Sequence, residues 1–343
     1  MKGDRLLRET LRVAVMLAIS LLITAGIMAL SGKNPWEAYR VLFTSALGSP
    51  VAIADTLLVA TPLIFSGLAT AISFRAGVFN IGVEGSLYLG AFAAAWVAFT
   101  FVHLPGVLLV SLAFLLAGII GGIWLLVPGY LKAYLDVDEI VTTIMLNYVA
   151  IFFTSYLVNY PFAVPGLANA MSPRIAKQAM LARLLPPSQF NVSFFLAVAA
   201  VAATWFLFAR TTLGLELRTL GLNPIFARWS GMPSAKVILK VMFISGFLGG
   251  LAGAGQVLGV NYRFVANFSP GYGFDGIAVA LLANNDPLGS FLAAILFGIL
   301  RNGGATMELL LDIPLEIVRI LEGTIILFVT AQFALSRWPR RNE

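Results

Sequence analysis

Cysteine is absent from this 343-residue chain, and histidine occurs once, at His103. Disulfides and thiolate-bound metals are therefore excluded, and one histidine in a connecting segment does not make a metal centre. Charge is scarce too. Asp, Glu, Lys and Arg make up 11% of the residues and hydrophobic types 59%, whereas soluble domains carry about 25% charged residues. That balance excludes an ordinary soluble fold. No Gly-x-x-x-x-Gly-Lys-[Ser/Thr] phosphate loop occurs, so the chain does not supply ATP chemistry by that route. No nucleophile and base stand at catalytic spacing, no metal-ligand cluster is visible, and no repeat of 20 to 50 residues appears. The chain reads as neither an enzyme nor a repeat array.

What is present is a succession of apolar segments of about 20 residues with short connections, the pattern of an all-α polytopic membrane protein. The expected spans are 13–30, 51–73, 86–101, 106–127, 140–158, 191–208, 241–260 and 317–333. The first is too long for a secretory signal peptide and lacks its small-residue cleavage site, so it is expected to remain as a helix. Between the first two, Trp36 and Tyr39 mark a short outer interfacial helix. Polar loops are expected at 128–139, 159–189, 210–240 and 261–274. The pieces 275–284 and 288–300 are each too short to cross alone, so a re-entrant hairpin or one broken span is expected near 275–300. The total is roughly 8 to 10 transmembrane helices in a single membrane domain covering 1–343.

The net charge of +6 is distributed as topology signals rather than as a nucleic-acid surface. Lys2, Arg5, Arg8 and Arg12 precede the first span, and Arg337, Arg340 and Arg341 follow the last. Both termini are therefore expected in the cytoplasm. The outer loop at 159–189 carries Arg174, Lys177 and Arg183 against this bias, which long loops obey weakly.

Two polar regions stand out. The first, near 74–86, sets Arg75, Asn80, Glu84 and several glycines between two apolar segments. At membrane depth such an interruption survives only where protein or a water-filled cavity surrounds it, and a carboxylate at the bilayer centre costs about 2.5–3.5 kcal/mol. The second lies in 210–240. Asn223 can cap a helix with Pro224 at its first position, and Gly231 then Pro233 supply the stop. A two-turn helix showing Phe226 and Trp229 either docks into a groove on another protein or lies on the inner leaflet.

Several strings carry a resemblance that covers nearly the whole chain in order. They are Phe74-Arg75-Ala76-Gly77-Val78-Phe79-Asn80-Ile81-Gly82-Val83-Glu84-Gly85, then Glu139-Ile140-Val141-Thr142-Thr143-Ile144-Met145-Leu146-Asn147-Tyr148, the Gly221-Leu222-Asn223-Pro224 to Gly231 segment, and Gly273-Phe274-Asp275-Gly276-Ile277-Ala278-Val279-Ala280-Leu281-Leu282 followed by Pro287-Leu288-Gly289. Together they resemble the bacterial nucleoside and simple-sugar ABC importer permeases, within the branched-chain amino acid and ribose permease group. The first string is closest to the nucleoside branch. Ser86 stands where that family usually has Gln, and Asn284-Asn285-Asp286 where it has a basic or His-containing turn.

The resemblance implies a permease subunit moving nucleosides across the cytoplasmic membrane of a prokaryote. Its partners would be a second permease, either different or another copy, two cytoplasmic ATPase subunits or a fused tandem ATPase, and an external substrate-binding lipoprotein. No cofactor is implied in this chain, and ATP with Mg belongs to the partner ATPase. The helix at 223–232 would couple to that ATPase through Gly221, Asn223, Pro224, Ala227, Arg228 and Gly231. The alternatives are a ribose- or galactose-like sugar permease and a proton-coupled transporter using Glu84 or Glu316.

A path for nucleosides or sugars calls for side chains that make transient hydrogen bonds and weak stacking contacts. Phe79, Asn80, Glu84, Asn147 and Asp275 fit that chemistry. Three of them also have a structural reading. Glu84 can stabilise the N-terminus of the helix that resumes after it, Asn147 can bond a neighbouring helix, and Asp275 can cap a helix starting at Gly276. Asn284, Asn285 and Asp286 read as plain turn chemistry. Glu316, Arg319 and Glu322, three residues apart, are expected on one helix side as an ion-pair cluster or a partner contact. Gly246, Gly249, Gly250, Gly253 and Gly255 permit close helix packing, within the chain or across a permease interface.

Overall fold

The computed structural model describes residues 15, 18–166 and 169–337. The basic groups Lys2, Arg5, Arg8, Arg12, Arg340 and Arg341, and the expected start of the first span, lie outside the described residues. The helices are α1 (Ala18–Leu30), α2 (Pro35–Leu47), α3 (Pro50–Arg75), α4 (Val83–Thr100), α5 (Gly106–Leu135), α6 (Glu139–Asn159), α7 (Ser193–Arg210), α8 (Thr212–Leu222), α9 (Pro224–Trp229), α10 (Ser234–Gln256), α11 (Tyr272–Leu282), α12 (Pro287–Leu311) and α13 (Leu315–Arg337). Among the described residues 7 helices are long and apolar enough to cross a membrane: α3, α4, α5, α6, α7, α10 with its π-turn, and α12. Fold class is thus all-α and polytopic, as the composition requires.

The chain divides into two compact units, Met1–Thr56 with Leu296–Glu343, and Leu57–Ile295. In the larger unit α4 and α10 are central. Their apolar stretches are 78% and 67% buried, against 22% for α6 and α7. Small residues let backbones touch here. A Cβ at Gly253 would collide with the Leu87 carbonyl of α4, and one at Gly250 with the Ala117 carbonyl of α5. Gly246 lies against Gly121 in the same way. These glycines of α10 therefore pack within the chain, where helix association depends on close van der Waals contact.

Three boundaries differ from the sequence expectation. The loop expected at 128–139 shrinks to the three residues 136–138, because α5 runs through Pro128 to Leu135. A transmembrane helix tolerates Pro when neighbours satisfy the freed carbonyl. Asp136, at φ +50°, ends the helix, and Asp138 Oδ1 accepts from Ile140 N and Val141 N at 2.8 and 3.1 Å to start α6. Similarly α10 begins at Ser234 rather than 241.

The piece expected at 288–300 is the first half of a 25-residue helix, α12, that crosses on its own. Arg301 and Asn302 do not stop it, because each has a partner in the smaller unit. Arg301 Nε lies 3.5 Å from Glu322 Oε1 of α13, and Asn302 Nδ2 donates to Thr56 Oγ1 at 2.9 Å and Ala52 O at 3.2 Å. Glu322 is buried, while Glu316 and Arg319 are exposed. In the same unit Asn34 caps α2, and Trp36 is exposed.

Candidate functional site

The polar string at 74–86 starts at the C-terminal end of α3 and runs inward, with Gly82 against Leu125 of α5 and Gly85 against Asn147 of α6. With 26 residues, α3 spans about 39 Å by itself, and the chain turns only after it is complete. Gly77, at φ +75°, closes α3 as a Schellman motif. Its N–H donates to Phe74 O at 3.0 Å, and Val78 N–H reaches back to Ser73 O at 3.0 Å. A left-handed residue is needed there, and glycine adopts it without a Cβ clash.

From Phe79 to Gly82 the backbone is outside any helix and needs other partners. Helix α6 provides them from one face, with Glu139, Thr143 and Asn147 at successive i, i+4 positions. Glu139 Oε1 accepts from Phe79 N at 3.2 Å, and Thr143 Oγ1 from Ile81 N at 3.2 Å. Asn147 does double service: Oδ1 accepts from Gly85 N at 2.8 Å and Nδ2 donates to Ile81 O at 2.9 Å. Asn80 Oδ1 takes Gly82 N at 2.8 Å, while its Nδ2 donates to Ser245 Oγ of α10 at 2.8 Å. Every backbone N–H from Ala76 to Gly82 consequently has an acceptor.

Asn80, Glu84 and Asn147 are all buried. Glu84, in the first turn of α4, also reaches the first turn of α11, where its Oε2 accepts from Gly273 N at 2.5 Å. The positive end of a helix favours a carboxylate there. One turn further along α4, the Tyr88 hydroxyl accepts from Ser269 N at 3.4 Å, and its ring lies 5.0 Å from that of Phe268. Helix α11 is 11 residues long, too short to cross, and runs from this meeting point to the turn at 284–286. Asp275 lies inside its first turn, with Gly271 as the cap, so the expected helix start at Gly276 moves four residues earlier. Phe79 is 52% exposed and rests on Phe74, with ring centroids 4.7 Å apart.

The same end carries the short helix. Asn223 Oδ1 accepts from Phe226 N at 2.9 Å, Pro224 takes the first position, and Gly231 at φ +77° closes it with Met232 N bonded to Ala227 O at 3.1 Å. Ala227 points inward and is fully buried, whereas Ile225, Phe226 and Trp229 are 71%, 58% and 86% exposed, and Arg228 is exposed beside them. Just before it, Gly221 lies against the turn. A Cβ there would collide with the Arg75 carbonyl, and the Gly221 Cα is the nearest atom to a Cβ built on Gly77. Arg75 itself stacks on Phe208 at 4.5 Å and donates to Asn285 O at 3.3 Å, tying α3 to α7 and to the turn before α12. Asn284 and Asn285 occupy left-handed backbone, and Asp286 Oδ2 caps α12 through Gly289 N at 2.9 Å.

Turn and short helix form two walls of one cavity of about 630 Å³. Gly77, Lys132, Asp136, Glu139, Pro224 and Arg228 line it. Lys132 Nζ bridges Asp136 Oδ1 at 3.0 Å and Glu139 Oε2 at 3.2 Å, so the carboxylate that holds Phe79 N–H is itself fixed. Among the described residues no group of three or more His, Cys, Asp or Glu could hold a metal ion. Sequence reasoning missed Glu139 and Thr143. Their spacing with Asn147 on an otherwise apolar helix is the signal that would have found them.

Comparison with known proteins adds the remaining findings. Residues 52–330 match the family described as branched-chain amino acid transport system / permease component. The guanosine ABC transporter permease protein NupP of Bacillus subtilis is 38% identical over 93% of this chain and 93% of its own length. The glucose ABC transporter permease protein TsgB13 of Haloferax volcanii is 38% identical over 91% of this chain and 85% of its own. The nucleoside ABC transporter permease protein NupB of Lactococcus lactis is 33% identical over 96% and 92%.

Proposed function

The chain belongs to the branched-chain amino acid transport system permease family, and on that premise we propose that it is the permease subunit of an ATP-binding-cassette importer for nucleosides. One observation carries the nucleoside assignment: likeness to a guanosine permease and a nucleoside permease runs through more than nine-tenths of the chain. The sugar reading is the second, because a glucose permease is equally identical. The chain is a multi-pass protein of the cell membrane, and we assign the turn, the 630 Å³ cavity and both termini to the cytoplasmic side.

The energy source is a pair of cytoplasmic ATPase subunits that hold ATP and Mg. Helix α9 is the element they grip: Ile225, Phe226 and Trp229 are bare apolar groups on two helical turns, the form that docks into a protein groove. The gripped segment carries Gly221, Asn223, Pro224, Ala227, Arg228 and Gly231. Motion of α8 and α9 reaches the end of α3 and the turn after it directly, since Gly221 sits on the Arg75–Gly77 backbone with no side chain between them. Rigid-body movement at such a docked helix repacks the spans it touches. A second permease completes the pore, and an external binding protein delivers the substrate. Among the five path candidates, Phe79 is the exposed one at the cytoplasmic mouth. Asn80, Glu84 and Asn147 hold the backbone that shapes the path, and Asp275 stands in the first turn of α11 beside Glu84's contact.

The test is uptake of radiolabelled adenosine, guanosine, uridine, ribose and glucose into cells lacking the chain and into complemented cells, with ATP depletion as control. ATP-dependent nucleoside uptake restored by complementation is the expected result. Restoration of sugar alone selects the sugar branch, and uptake that follows only the proton gradient overturns the ABC assignment.

A further inference from the structure

Non-helical backbone at membrane depth survives only inside protein or along a water-filled cavity, and two stretches of the larger unit meet that condition differently. The first, 76–82, has an acceptor for every N–H. The second, 262–271, follows the π-turn Val257–Asn261 and leads to α11. It runs beside α4 in the reverse direction. Three side chains of α4 at i, i+4 and i+8 mark the descent: the Phe92 ring lies 5.6 Å from that of Phe264, the Tyr88 ring 5.0 Å from that of Phe268, and Glu84 takes the Gly273 N–H. From Tyr88 to the end of α4 at Thr100 is about 18 Å along the axis. The second stretch therefore reaches deep into the unit.

Parts of it are held. Phe264 N–H donates to Ser172 Oγ at 3.0 Å and Ala266 N–H to Ala170 O at 2.9 Å. Ser269 N–H donates to the Tyr88 hydroxyl at 3.4 Å, and Ser269 Oγ accepts from the N–H groups of Gly271 and Tyr272 at 3.1 and 3.2 Å. Asn267 lies between these two anchors, in left-handed backbone at φ +55°. Among the described residues no hydrogen bond involves its amide or its N–H, and it is exposed. Facing hydrocarbon at that depth, its donors and its carbonyl would go unpaired. The face it occupies is one that meets water.

We propose that Asn267 contacts the travelling substrate, its amide pairing with the hydrogen-bonding edge of a nucleobase while the neighbouring Phe268 ring offers its face. This rests on the importer reading and on its nucleoside branch. An amide presents a donor and an acceptor side by side, the pattern that meets a purine edge through two bonds at once. A lone sugar hydroxyl engages one of them at a time. Asn80 and Asn147 cannot take this part, since both amides are already committed to the turn.

Asparagine is also favoured in left-handed backbone for local reasons, and the test separates the two roles. Asn267→Gly keeps that backbone and removes only the amide, while Asn267→Asp keeps acceptors and loses the donors. Cells lacking the chain receive each variant or the unsubstituted chain, and ATP-dependent uptake of radiolabelled guanosine, adenosine, uridine and glucose is measured at equal membrane abundance. Nucleoside uptake below saturation should fall about fivefold or more in Asn267→Gly, with the melting midpoint in detergent unchanged. In Asn267→Asp the ratio of guanosine to uridine uptake should shift about threefold or more. Uptake and base preference equal to those of the unsubstituted chain overturn the contact. A loss in Asn267→Gly that comes with a lowered midpoint assigns Asn267 to the turn alone and also overturns it, as does an equal loss for all four probes. If the unsubstituted chain restores glucose uptake but no nucleoside uptake, the nucleoside reading falls first and takes this contact with it.

Discussion

The turn at 76–82 and the helix α9 wall the same cavity yet are built in opposite ways. In the turn every backbone N–H finds an acceptor inside the unit, and the polar side chains in and around it, Asn80, Glu84 and Asn147, are buried. In α9 the caps satisfy the ends, but three of its six residues, Ile225, Phe226 and Trp229, leave large apolar surface bare. The difference separates a part completed by its own chain from a part that leaves apolar surface uncovered. Polar richness marks the first and exposed apolar groups mark the second, the reverse of what polarity alone suggests in a membrane protein.

The comparison breaks first at Asn147. Asn147→Leu leaves Gly85 N–H and Ile81 C=O without partners, at about 1–3 kcal/mol each, so the purified protein should lose about 2–6 kcal/mol. Thermal unfolding in detergent checks this, with the midpoint falling roughly 5 °C or more. An unchanged midpoint would mean that the turn is not held by α6. Trp229→Ala should do the opposite. Stability should stay within about 0.5 kcal/mol, while binding of the ATPase subunits weakens by about 2 kcal/mol, roughly thirtyfold, in a pull-down titration. Equal binding by the variant would remove α9 from the interface.

Gly221→Val sits where the two regions meet and should disturb both. Overpacking against the Arg75 carbonyl costs about 1–3 kcal/mol, and uptake should fall more than the melting shift accounts for. Uptake that falls only in proportion to folded protein would mean that the contact is passive. The smallest effect belongs to Glu139→Gln. The amide oxygen still accepts Phe79 N–H and only part of the bridge to Lys132 is lost, so about 1 kcal/mol or less is expected in the same unfolding assay. A larger loss would show that the Lys132 bridge, rather than the hydrogen bond, fixes the turn.

Much of this was legible in the sequence, and the residues show why. Asn223, Pro224 and Gly231 announce a capped short helix because capping is local chemistry, settled within a few residues. The charged fraction of 11% announces a membrane protein because insertion depends on composition. By contrast, the loop expected at 128–139 was helix, and 288–300 was half of a full span, because Lys132 and Arg301 look like loop residues until their partners are known. Asp275 looked like a cap because its spacing to Gly276 is right, but Gly271 starts the helix earlier.

The sequence by itself therefore determined class, family and the position of the short helix, all of which rest on composition and short-range pattern. Only the tertiary structure decided that Glu84 meets Gly273, that α6 supplies a ladder for a turn some 60 residues away, with |i−j| of 60 to 66, and that the glycines of α10 close on α4 and α5 within the chain. The physical reason is the backbone. Each group taken out of water must find a partner, and the partner is chosen by which helices pack side by side, a choice that no local stretch of residues contains.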